Sequence, residues 1–157
     1  MTADTLVAEL KATLDYFKRS TAVLSDAEED FRPTPDMMTT AQQVAHVANT
    51  VDWFLEGAFR PQGFNMDFEA IEKPVHAVAS LGAARAWVDR SFAAAIAKIQ
   101  GLSEAELLAP LPPGIMEGAP RYAVVYALMD HTAHHRGALT VYTRLNGKTP
   151  AMPYMDM

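Results

Sequence analysis

The chain contains no cysteine. That excludes a disulfide framework, a thiolate nucleophile supplied by the protein and a cysteine-ligated zinc site. It has no run of lysine or arginine, and 19 acidic residues outnumber 13 basic ones for a net charge of -6. Nucleic-acid binders need a clustered basic surface to displace counterions from phosphate, and anionic membrane surfaces recruit similar clusters. Neither is an expected partner. No uninterrupted apolar stretch approaches the ~20 residues needed to span a bilayer. Residues 1–10 carry Asp4 and Glu9 and lack the basic start and apolar core of a signal peptide, so a cytoplasmic location is expected. There is no Gly-x-Ser-x-Gly elbow for a serine hydrolase, no internal repeat and no strand-like alternation.

What remains reads as helix. A length of 157 residues, half of them hydrophobic, suits one domain over 1–157 with a real core. The first helix is expected over 4–29, with Leu6, Val7, Leu10, Leu14, Phe17, Val23 and Leu24 at helical spacing, ending before Pro33 and Pro35. The second begins at Thr39 or Thr40, each followed three residues on by a glutamine in capping-box spacing, and stops at Pro61. Residues 61–79 read as an irregular crossover, too long for a tight turn, that lets the third helix run parallel to the second. Ser80 caps that third helix, which ends at Gly101. Ser103 and Glu106 start a short helix that dies at Pro110. Pro120 then opens the fourth long helix, which runs to Asn146-Gly147. Apolar stripes on four helices of similar length pack as an all-α four-helix bundle.

Three of the five histidines fall in Asp130-His131-Thr132-Ala133-His134-His135-Arg136-Gly137. His131 and His135 stand about 40° apart on the helix, one turn from each other. Val124, Leu128, Leu139 and Tyr142 surround them, so the pair sits in the centre of the core-facing stripe. Two adjacent buried imidazoles lose hydration and cannot both be charged. A shared metal that takes one nitrogen from each resolves the conflict. The bland alternative is a pair of hydrogen-bonded core histidines. Candidates for a third ligand are His46, His76 and His134. His76 lies in the crossover, where solvent exposure is expected, and His134 diverges toward Val141. His46, near the start of helix two, can approach helix four across the core, giving three nitrogens from two helices. Three neutral imidazoles leave a coordination position open.

Other metal chemistries lack support. A zinc-protease helix needs Glu after its first histidine, where this chain has Thr132. A di-iron bundle needs Glu-x-x-His pairs, which do not occur. Asp52 and Glu56 fall on the polar arc of helix two. Met37, Met38, Met152, Met155 and Met157 read as flexible packing rather than copper ligands.

The histidine early in helix two, in Ala41-Gln42-Gln43-Val44-Ala45-His46, the His-x-x-x-His-Arg-Gly motif at 131–137 and the tail from Tyr142 to Pro150 together resemble the DinB/YfiT family of four-helix-bundle proteins. Ala138 stands where many members carry glutamine. The resemblance implies an up-down-down-up bundle, a divalent ion (nickel or zinc) on His46, His131 and His135, and a homodimer. It further implies, for some relatives, thiol S-transferase or isomerase activity with a low-molecular-weight thiol as cofactor. A metal-dependent enzyme of the thiol-transferase type is therefore the leading expectation, with Tyr142, Trp53 and Gln42 or Gln43 near the ligands. The alternatives are a non-catalytic metal or small-ligand binding protein, such as one induced by stress, and an interaction module with buried, hydrogen-bonded histidines.

Overall fold

The computed structural model describes residues 1–155; Met157 lies outside them. Six helices follow one another: α1 (Ala3–Thr21), α2 (Thr40–Phe59), α3 (Phe68–His76), α4 (Leu81–Gln100), α5 (Glu104–Leu108) and α6 (Ala123–Leu145). The four long ones, α1, α2, α4 and α6, form the bundle, and the fold is all-α.

Short polar side chains start these helices by taking amides that have no partner within the helix. Thr39 and Gln42 cap α2 reciprocally, at 3.2 and 2.9 Å. Ser80 accepts from the Ala83 amide at 3.0 Å to open α4. Ser103 and Glu106 form the capping box of α5.

Contacts between side chains fix the helix directions. Lys18 pairs with Asp89 and Gln100 reaches Asp4, so α1 and α4 are antiparallel. Asp52 accepts from the Trp87 indole and Lys98 stacks on the Phe59 ring, so α2 and α4 run parallel. Gln43 meets His135 while Arg121 donates to the Ala58 carbonyl, so α2 and α6 are antiparallel. The order is up-down-down-up, and the long crossover makes the parallel α2–α4 pair possible. Helix α2 packs on both α4 and α6 and also carries α3, which places it at the centre of the fold.

Three boundaries differ from the sequence expectation. Helix α1 stops at Thr21 rather than continuing to Glu29, and a 3₁₀ turn occupies Asp26–Glu28. Arg85 donates to the carbonyls of Thr21 (2.9 Å) and Leu24 (2.8 Å), satisfying the end that further helix would otherwise satisfy. Helix α6 starts at Ala123, because Pro120 is engaged in an isolated antiparallel bridge with Pro110. The crossover, expected to be irregular, contains α3. Asp67 caps it through the Ala70 amide at 3.1 Å, and Val75 is fully buried. Pro74 lies inside this helix, and a proline there argues against helix from sequence alone.

None of the described helices is long and apolar enough to cross a membrane.

Gly63, at the turn that leaves α2, has φ +73, and a Cβ there would collide with the Pro113 carbonyl oxygen. Backbone cannot yield as a side chain does. Gly63→Ala is expected to lower unfolding stability by about 1–3 kcal/mol, read from the urea midpoint at constant m-value.

Candidate metal centre

The antiparallel pairing of α2 and α6 brings three imidazoles to one point. His46 comes from the second turn of α2; His131 and His135 come from adjacent turns of α6. Ring centroids lie 4.4 Å apart for His131–His135, 4.7 Å for His46–His135 and 5.1 Å for His46–His131. One nitrogen from each ring lies within 4.8 Å of the others. A zinc ion with Zn–N bonds of about 2.0–2.1 Å in tetrahedral geometry places its nitrogens about 3.3 Å apart. The Nε2 atoms of His131 and His135 are 3.1 Å apart. Small ring movements would complete such a site.

The far sides of His135 and His46 explain this convergence. Gln43 Oε1 lies 2.7 Å from His135 Nδ1, so that nitrogen carries the proton and Nε2 keeps its lone pair. Gln43 is itself buried. Glu72 approaches His46 Nδ1 at 2.9 Å. A carboxylate only accepts, so His46 also donates through Nδ1 and leaves Nε2 free. On His131 the Thr50 hydroxyl, at 3.5 Å, meets the inward Nε2 rather than the far nitrogen. Hydrogen-bonded far nitrogens of this kind orient histidine ligands and raise their basicity.

Electrostatics holds the α6 pair neutral. Burial, followed by the charge of His46, pushes His131 down to about 4. Burial, followed by the charges of His131 and His46, pushes His135 down to about 3. Neutral imidazole is the form that ligates metal.

Beside the triad lies a cavity of about 290 Å³, bordered by His46 and His131 and walled by Trp53, Phe54, Phe68 and Ile115. It has room for a small molecule next to the point on which the three imidazoles converge.

The other expected residues separate clearly. His76 ends α3 exposed, and His134 is exposed, edge-on to His135. Neither joins the triad. Trp53 lines the cavity and Gln43 holds His135, whereas Gln42 is spent on the α2 cap. Tyr142 is buried behind the site and donates to the Met38 carbonyl at 2.9 Å. Sequence reasoning missed Glu72, because Pro74 disguised its helix. The spacing of Phe68, Ile71 and Val75 after the Asp67 cap was the available signal. It also missed Asn49, Thr50 and Ile115, which only tertiary structure brings to the cavity.

The comparisons agree with this architecture. The sequence model of the DinB superfamily matches residues 9–139, and the chain belongs to that superfamily. No curated protein matches it in sequence. Among solved structures, a Clostridium difficile 630 protein superposes with a TM-score of 0.76 at 13% identity, covering 92% of this chain and 97% of its own. A Streptococcus pneumoniae protein gives 0.73 at 15%, covering 92% and 91%. YfiT from Bacillus subtilis, a probable metal-dependent hydrolase with an unusual four-helix bundle topology, gives 0.70 at 18%, covering 94% and 89%. At these identities the likeness is one of fold.

The depressed histidines make an acid-stability prediction for metal-free protein. Unfolded histidine titrates near 6.5, whereas the folded pair titrates near 4 and 3. The unfolded chain therefore binds more protons in this window, and stability falls as pH drops. Urea midpoints of chelator-treated protein should hold above pH ~6.5 and decline toward pH 4. A His131→Gln, His135→Gln double variant should lose most of that slope; an unchanged slope would contradict the burial argument.

Proposed function

We propose that the protein binds one divalent ion through His46, His131 and His135 and acts as a metal-dependent enzyme of the thiol S-transferase type. The observation that carries the reading is the convergence of three imidazole nitrogens, two of them on rings held neutral by burial, beside an apolar cavity. Once bound, the ion would supply Lewis acidity and hold a small thiol as its thiolate, since a coordinating thiol is readily deprotonated. Nickel and zinc both suit imidazole ligands.

The chain's own groups favour a thiol over water as nucleophile. Glu72, the one carboxylate on the cavity wall, is committed to His46 and is poorly placed to act as a base on water. A thiol already held as thiolate needs no such base. The charges also suit one monoanion: a divalent ion, three neutral imidazoles and Glu72 sum to +1. The aromatic walls suit an apolar electrophile.

A hydrolase is the second reading, favoured by the description of YfiT. A non-catalytic metal-binding protein is the third. The homodimer stays a proposal: Val141 and Leu145 are exposed one turn apart on α6, with Tyr126 exposed on the same helix. Sedimentation at micromolar concentration would test it.

Calorimetry should find about one zinc or nickel per chain, with affinity falling as pH drops toward about 4, where His131 takes up a proton. Glu72→Ala should weaken binding ~10–100-fold by removing the acceptor that orients His46. His131→Ala, His135→Ala should abolish it. Metal-loaded protein should transfer a small thiol to an electrophile faster than this double variant does. Ester or amide hydrolysis without thiol consumption would favour the second reading. Metal uptake with neither activity would favour the third.

A further inference from the structure

One side chain on the cavity wall serves neither the fold nor the triad. Asn49 is only 8% exposed, and its carboxamide reaches the cavity without a hydrogen bond to another described residue. The neighbouring buried polar residues of α2 all have partners: Thr40 on Phe31, Gln43 on His135 and Thr50 on His131. Buried polar groups are nearly always satisfied. The Asn49 amide instead opens on the cavity, where water or an entering ligand can pair with it.

The rest of the wall states what that partner is. Trp53, Phe54, Phe68, Ile71 and Ile115 offer apolar and aromatic surface, and no lysine or arginine lines the cavity. In metal-free protein a carboxylate would find no cationic side chain on this wall and would face Glu72. An organic cation would be repelled by a bound divalent ion, which outweighs the single charge of Glu72. A neutral carboxamide meets neither penalty. The Asn49 amide has two donor hydrogens and a carbonyl acceptor, and a carboxamide presents the complementary pair.

We propose that this cavity binds a neutral small molecule with an apolar, ring-sized body and one carboxamide group, and that Asn49 pairs with that carboxamide. The assignment deepens the metal-centre reading by naming the ligand class, and it rests on that reading for the exclusion of cations and for the chemistry after binding. Asn49 lies three residues after His46, so it stands ~4.5 Å further along the helix axis on nearly the same face.

Benzamide and benzoate, titrated into ¹⁵N-labelled protein in metal-free and zinc-loaded forms, test the assignment. Benzamide should shift the Asn49 side-chain amide and Trp53 indole resonances. Asn49→Leu, close in shape but unable to hydrogen-bond, should raise the benzamide Kd at least tenfold. Metal-free protein should bind benzoate at least tenfold more weakly than benzamide. If Asn49→Leu does not fold, as judged by circular dichroism, Asn49→Ala is read in the same way. Benzamide binding that is unchanged in the variant would overturn the proposal. So would equal binding of benzoate to metal-free protein, or no benzamide binding in either form. The metal-free arm separates this proposal from the metal reading, which fails instead if calorimetry shows no ion uptake.

Discussion

Three imidazole rings converging on one point, inside a bundle that strips them of water, form the constraint on which the site depends. Burial alone would penalise such rings. Each far nitrogen that the structure ties down, His135 by Gln43 and His46 by Glu72, turns the opposite nitrogen inward. The same desolvation that pushes His131 and His135 down to about 4 and 3 keeps them in the form that ligates a cation. Packing, tautomer and charge state therefore point to one chemistry.

Helix α2 is the platform. It is the most buried of the long helices, packed on α4 and α6 and overlaid by α3. Gln43, His46, Asn49, Thr50 and Trp53 lie along one face, which carries an orienting group, a ligand, an open amide, a hydroxyl and an aromatic wall. The parallel α2–α4 pairing demands a long crossover, and the crossover supplies α3. Topology and site are thus linked: the segment that makes the unusual order possible also delivers Glu72.

Much of this was legible in the sequence, because His131 and His135 sit one turn apart in an apolar stripe and capping boxes mark the helix starts. The up-down-down-up order came from the family resemblance, and the crossover length agreed with it. The DinB superfamily match and the fold of YfiT support both. Less legible were features that local pattern does not encode. Pro74 concealed a real helix and with it Glu72. Arg85 ends α1 from a distance of more than sixty residues. Asn49 reads as an ordinary polar helix residue until the tertiary fold places it on the cavity wall. Tyr142 shares the histidine stripe yet packs behind the site, since neighbours on a helical wheel can face different helices.

X-ray absorption at the metal edge of protein loaded with one equivalent of zinc tests the central claim most directly. About three imidazole nitrogens are expected at ~2.0–2.1 Å, with one fewer in His46→Ala. A spectrum free of imidazole scattering, or one unchanged by His46→Ala, would contradict a metal centre built on this triad.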